Sequence, residues 1–271
     1  EQKTQVKNHI VKIASEFLKI GRHFDQFGYF DAYDAVKIRS LVPEMINEVE
    51  VRRFEMLVHN LQSSFDTYVI HGGYAAGHRQ LKSLRSHFSV VFHLLQSMGR
   101  LLHFYERHLH EAGYRDIYKS VRNQLSFLVD PDRLLDRTIN YGLYWVCHFL
   151  SQGREIAQAV LNDNIERAVI QVKVPVPRGF HSRPSLLVAK IVQYYGGKVE
   201  LCAGSGRFDA SSVLDIQWAG GKIKNEDITL VRFEGDARSL RDLEVLANSN
   251  YGEDLMGNGK ALPRELAYLH E

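Results

Sequence analysis

The 271-residue sequence predicts a multi-domain α and α+β molecule: an all-α bundle of the four-helix type, then an open-faced antiparallel β-sandwich with three helices. Three observations predict it. Apolar residues recur alternately four and three apart through about residue 165, the seam of packed helices. The pattern then turns to β-branched alternation at Ala168 to Val174. The remaining elements fall in the order β-α-β-β-α-β-α, too compact for parallel crossovers throughout.

The first seam is Val6, Ile10, Ile13, Phe17, Ile20, Phe24 and Phe27, with Gly28 as its stop. A less regular stretch from Ile38 to Val49 contains Pro43 and leads into Phe54, Val58, Leu61, Phe65 and Tyr68, closed by His71-Gly72-Gly73. Leu81, Leu84, Phe88, Val91, Leu95, Met98, Leu102, Tyr105 and Leu109 form the longest seam. A short helix over Tyr114 to Leu128 follows Gly113. Asp130-Pro131 opens the last seam, Leu135, Ile139, Gly142, Val146, Phe149, Gly153, Ile156 and Val160, whose glycines permit close helix approach at a cost in propensity. A 3.5-residue repeat suits antiparallel packing near +20°.

The second part spans residues 166–253, with 254–271 as a tail in which Pro263 precedes a short helical run. Strands are expected at Ala168 to Val174, Lys198 to Cys202, Arg207 to Ala210 and Ile228 to Phe233. Helices are expected at Ser182 to Tyr195, Ser212 to Trp218 and Asp236 to Ser249.

Gly179-Phe180-His181-Ser182-Arg183-Pro184 lies between a strand and a helix. A helix starting after His181 leaves its first N–H groups unpaired, and with the positive dipole end they form an anion site. A phosphate on the imidazole would meet the N–H groups of Ser182 and Arg183, and the Arg183 guanidinium would clamp its oxygens. Pro184 suits a first-turn position because its missing N–H is not needed there. The dipole disfavours imidazolium, keeping His181 nucleophilic.

This segment strongly resembles the active-site signature of HPr, the histidine-containing phosphocarrier of the bacterial phosphoenolpyruvate-dependent phosphotransferase system. The resemblance covers about residues 168–253. It includes Asp209-Ala210-Ser211-Ser212-Val213-Leu214, similar to the family's regulatory-serine segment, and Ala219-Gly220-Gly221, similar to the turn that follows. Gly235-Asp236-Ala237 with Leu243, Leu246 and Ala247 resembles the final helix, and Ser185 stands where the family commonly has alanine. The resemblance implies an HPr-like sandwich, His181 as phosphoacceptor, an enzyme I-like donor and a downstream enzyme IIA-like acceptor or regulated protein. It implies an HPr kinase acting at Ser212, although Ser212 is equally an N-cap alone and Ser211 competes as the acceptor. Val213, Leu214, Ile216 and Trp218 resemble the partner-docking face. Such a domain is a relay rather than a stand-alone enzyme. A rival reading is a regulatory scaffold that uses this domain for protein interaction, with the bundle as effector-binding or docking module.

No family resemblance extends to the bundle. Its aromatic residues, Tyr29, Phe30, Tyr33, Tyr105, Tyr114, Tyr118, Tyr141 and Tyr144, fit core and interface, including a homodimer through the bundle. All but His181 and His270 of the 13 histidines lie in the bundle, yet Glu-x-x-His is missing. The Glu55/His59 and Glu106/His110 pairs suit surface hydrogen bonds better than metal ligation, His71 and His78 suit turn positions, and neither His87 nor His93 has a phosphoacceptor setting. No metal and no cofactor are expected. A net charge of +2 excludes the usual basic nucleic-acid reader. No apolar run approaches the ~18 residues of a membrane span, and two cysteines, Cys147 and Cys202, suit a cytoplasmic protein.

Overall fold

The computed structural model describes residues 2–27, 31–71, 79–110 and 116–270, without the side chains of residues 2, 3 and 116–118. The expected features at Gly28, Tyr29, Phe30, Gly72, Gly73, Gly77, His78, Gly113 and Tyr114, and the side chain of Tyr118, lie outside the described residues. The chain divides into two compact units, Glu1–Val160 and Leu161–Glu271.

The first unit contains α1 (Gln2–Asp25), α2 (Ala35–Leu41), α3 (Glu48–Phe65), α4 (Arg79–Phe104), α5 (Asp116–Leu128), α6 (Pro131–Asp136) and most of α7 (Tyr144–Asn164). Side chains set the starts: Asp34 accepts from Lys37 N at 2.7 Å, Asn47 from Glu50 N at 2.9 Å and Asp130 from Asp132 N at 2.9 Å. The α4 seam is buried from Leu81 to Leu109, continuing through a π-helical segment at Tyr105–His110. A second π-helical segment, Arg137–Leu143, joins α6 to α7. Its wider turn shifts the α7 stripe to Val146, Leu150, Gly153, Ala157 and Val160, leaving Phe149 and Ile156 half-buried. The two seam glycines do mark close approach. A Cβ on Gly142 would stand 2.7 Å from Met98 Cγ, and one on Gly153 would stand 2.5 Å from Phe17 Cζ.

The second unit contains β1 (Arg167–Lys173), α8 (Ser182–Tyr195), β2 (Val199–Ala203), β3 (Gly206–Asp209), α9 (Val213–Asn225), β4 (Leu230–Asp236) and α10 (Ala237–Asn248). All pairings are antiparallel, in the order β1-β4-β2-β3. Val188 and Ile191 of α8, Ile216 of α9 and Leu243 and Leu246 of α10 form one core with Leu201, Val231 and Phe233 of the sheet. Leu266 and Leu269 are buried in the same core, so the segment after Glu253 is integral to this unit.

These findings correct the expected fold class of a four-helix bundle followed by an HPr-like sandwich with three helices. Helix accounts for 71% of the chain, ten α-helices occur among the described residues, and the β structure is one small four-stranded sheet. The seams misled because a 3.5-residue repeat passes through π-helical segments and short interruptions without losing phase. On the sheet face that a second layer would cover, Arg207 bridges Glu200 at 2.7 Å and Glu234 at 3.0 Å, and Arg232 bridges Glu234 at 2.7 Å. Such a charged ladder belongs in water. The Ala219-Gly220-Gly221 segment, expected as a turn, lies inside α9. Among the described residues, no helix is long and apolar enough to cross a membrane.

Candidate functional site

The loop joining β1 to α8 delivers His181 to a helix start. Gly179 has φ +65°, a value that strains residues with a Cβ, and its carbonyl accepts from His181 N at 2.9 Å in a tight turn. Phe180 points inward, 3% exposed, packed edge-on against Phe233 and Tyr251. That anchor turns the next side chain outward. His181 is the N-cap of α8, with extended backbone, and its carbonyl accepts the first helical bond from Ser185 N at 3.1 Å. Its own side chain does not cap the helix. The amides of Ser182 and Arg183 therefore have no intrahelical acceptor, and both side chains are exposed. Pro184 is buried in the first turn, and the buried Ser185 hydroxyl donates to Phe180 O at 3.2 Å.

The imidazole has a partner that sequence spacing does not suggest. Its Nε2 lies 3.0 Å from Oε2 and 2.9 Å from Oε1 of Glu253, whose side chain is only 1% exposed. A carboxylate only accepts, so Nε2 carries the proton and Nδ1 keeps a lone pair. One N–H serves one oxygen well, and Oε1 has no hydrogen-bond donor.

Glu253 reaches this place through an unusual backbone. Asn250, Tyr251 and Gly252 have φ of 51°, 54° and 73°, consecutive left-handed residues of which two bear side chains. The buried Tyr251 hydroxyl donates to Lys173 O at 3.1 Å, and burial pushes its phenol pKa above the usual range. Beyond Glu253 the chain doubles back through a bridge to Gly259. Gly259 lies flat against the Arg183 guanidinium, where a Cβ would stand 1.9 Å from Nη1. An open cleft of about 680 Å³ adjoins His181, lined in part by Pro177, Arg178, Gln217, Lys224 and Thr229.

Ser212 caps α9, accepting from Asp215 N at 3.3 Å. The competing Ser211 hydroxyl donates to Asp209 Oδ1 at 2.7 Å. Of the expected docking residues, Leu214 and Trp218 are exposed on one helix face, Val213 is half-buried, and Ile216 is buried in the core. In the first unit, His59 packs against Phe92, His110 stacks on Tyr105, and Glu106 accepts from Glu48 N at 2.7 Å. No group of three or more potential metal ligands converges among the described residues.

His181, Ser182 and Arg183 are thus brought together at one helix start, while Ser212 sits on another helix. Glu253, Asn250 and Gly259 were missed. No motif marks them, and only the left-handed turn brings them to the loop. Compared with family models, with characterised proteins and with solved structures, the chain matches none.

Proposed function

We propose that the second unit is a phosphoryl carrier that accepts a phosphoryl group on His181 from an enzyme I-like donor of a phosphoenolpyruvate-dependent phosphotransferase system. It then passes the group to an enzyme IIA-like acceptor or a regulated protein. The observation that carries this reading is the half-exposed imidazole at the start of α8, with Nε2 engaged by a buried carboxylate and Nδ1 open. An open nucleophilic nitrogen beside two amides without intrahelical acceptors and an exposed arginine suits a transferring phosphoryl group. The resemblance of residues 179–184 to the HPr signature supports the same chemistry and names the donor class.

The site relays rather than turns over, since most of the work in such a transfer belongs to the partner's site. Leu214 and Trp218 supply an apolar face for that partner, and Ser212 a position where an added phosphate from an HPr kinase would alter docking. The first unit serves as docking or effector module, and a phosphoenolpyruvate-driven relay places the protein in the cytoplasm.

The test is incubation of the full chain with phosphoenolpyruvate and an enzyme I, followed by intact-mass measurement. One acid-labile phosphoryl group, gained by the wild type and not by His181→Ala, is the expected result. No gain with several enzyme I proteins overturns the relay and favours the scaffold, in which the second unit only binds partners.

A further inference from the structure

The Glu253–His181 pair carries more than a contact. We infer that Glu253 is a positioning residue for the proposed transfer: its carboxylate directs the phosphoryl group to Nδ1 of His181 and balances the charge that the ring acquires. This rests on the phosphocarrier reading above, which supplies the reaction.

The geometry gives two effects. The first concerns protons. With Nε2–H donated to Oε2 at 3.0 Å, the lone pair sits on Nδ1, on the side away from the carboxylate. The buried carboxylate also blocks approach of a second anion to Nε2, because a phosphoryl group there would meet a like charge at van der Waals distance. Attack therefore runs through Nδ1. The Nδ1 lone pair forms the N–P bond as the bond from phosphorus to the donor's leaving atom breaks, and that atom keeps the electron pair. No proton leaves the ring, so the product is an N-phosphorylated imidazolium that still carries Nε2–H.

The second effect concerns charge. Before transfer, a buried carboxylate faces one neutral donor, and Oε1 has no donor at all although it lies 2.9 Å from Nε2. That is an under-compensated group, costly to hold in a protein interior. After transfer, the ring opposite both oxygens is cationic. The interaction is thus stronger in the phosphorylated ring, and in the transition state leading to it, than in the resting ring, which is the condition for assisting the step. The left-handed run Asn250-Tyr251-Gly252 is consistent with this role, since backbone held in a costly conformation is retained where it fixes a side chain.

Two variants separate the effects. Glu253→Gln keeps an acceptor for Nε2–H and removes the charge, whereas Glu253→Ala removes both. Long-range ¹H–¹⁵N spectra of the unphosphorylated full chain report the His181 tautomer, and ³¹P-coupled spectra after treatment with phosphoenolpyruvate and an enzyme I report which nitrogen is phosphorylated. In the wild type we expect the Nε2–H tautomer and phosphate on Nδ1 only. Glu253→Gln should keep that regiochemistry with transfer slowed roughly 10–100-fold, as for loss of other partners that orient a functional histidine. Glu253→Ala should mix the tautomers and put part of the phosphate on Nε2. Wild-type rate, tautomer and regiochemistry in Glu253→Ala overturn the inference, as does a wild-type Nδ1–H tautomer. If the wild type takes no phosphoryl group, the relay reading fails, while the tautomer spectra still decide whether Glu253 sets the ring's proton.

Discussion

Asn250 clasps the backbone of Val176 from both sides: its Oδ1 accepts from Val176 N at 3.0 Å and its Nδ2 donates to Val176 O at 2.7 Å. The clasp joins the turn that carries Glu253 to the loop that carries His181. Asparagine also tolerates the left-handed φ of 51° better than most side chains do. Asn250→Ala loses both bonds and gains backbone strain, so it should cost about 1–3 kcal/mol, while Asn250→Gly keeps the backbone and should cost less. Urea midpoints of the two variants check the order. A greater loss in the glycine variant would show that the clasp outweighs the strain.

Arg183→Ala should slow phosphoryl transfer without abolishing it, because the amides of Ser182 and Arg183 remain. Loss of a charge-assisted contact worth about 1.5–3 kcal/mol corresponds to roughly 10–100-fold in rate. Rapid-quench measurement of the phosphorylated fraction tests this, and an unchanged rate removes Arg183 from the anion site. Its guanidinium would then serve only to pack on Gly259.

Two adjacent glycines of α9 should respond with opposite signs. A Cβ on Gly221 meets nothing within 4 Å, so Gly221→Ala should stabilise by about 0.5–1 kcal/mol through helix propensity. A Cβ on Gly220 would stand 2.9 Å from the Phe180 carbonyl oxygen, and backbone cannot swing aside as a flexible side chain can. Gly220→Ala should therefore destabilise by about 1–3 kcal/mol and displace the residue preceding His181. Thermal melts of the pair give the answer directly.

These glycines also show what the sequence could and could not convey. A Gly-Gly pair suggests a turn when only local propensity is weighed, yet here Gly220 is required by the approach of Phe180 from forty residues earlier. The α4 seam was legible because every third or fourth residue had to be apolar to be buried against the same neighbours. The π-helical segment Arg137–Leu143 was not, since nothing in its composition distinguishes it from regular helix. At the site, His181, Ser182 and Arg183 announce themselves by proximity to a helix start. Glu253 lies 72 residues away, and its place depends on three consecutive left-handed residues that no pattern of apolar positions encodes.

Cys147 should be a slow thiol. Burial, with Asp25 nearby, pushes its pKa up to about 12, so almost no thiolate exists at pH 8. Alkylation with iodoacetamide, followed by peptide mapping, should leave Cys147 unmodified in the native protein and modified in urea. Because the folded value is raised above the unfolded one, the thiol's contribution to stability is intact below about pH 8.5 and is lost as pH rises towards 12. Rapid native alkylation at pH 8 would contradict the burial.

The segment after Glu253 decides whether the second unit is stable alone. Leu266 is 0% and Leu269 5% exposed, both within its core. Tyr268 donates to Asp242 Oδ2 at 2.6 Å beside the Tyr195 hydroxyl at 2.9 Å, and Lys190 Nζ donates to Leu269 O at 2.9 Å. Two buried leucines contribute about 1.5–3 kcal/mol each, a large share of the roughly 5–15 kcal/mol that holds a domain together. A fragment of residues 161–271 should therefore melt cooperatively. A fragment ending at 253 leaves the Leu266 and Leu269 sites open and should melt far lower, or bind hydrophobic dye as a loosely packed state. The contrast also bears on the site, because Glu253 becomes a frayed terminus in the shorter piece and loses its bridge to Gly259. Equal melting temperatures for the two fragments, followed by circular dichroism, would mean that the terminal leucines cover the core without supporting it, and the boundary at Glu253 would stand.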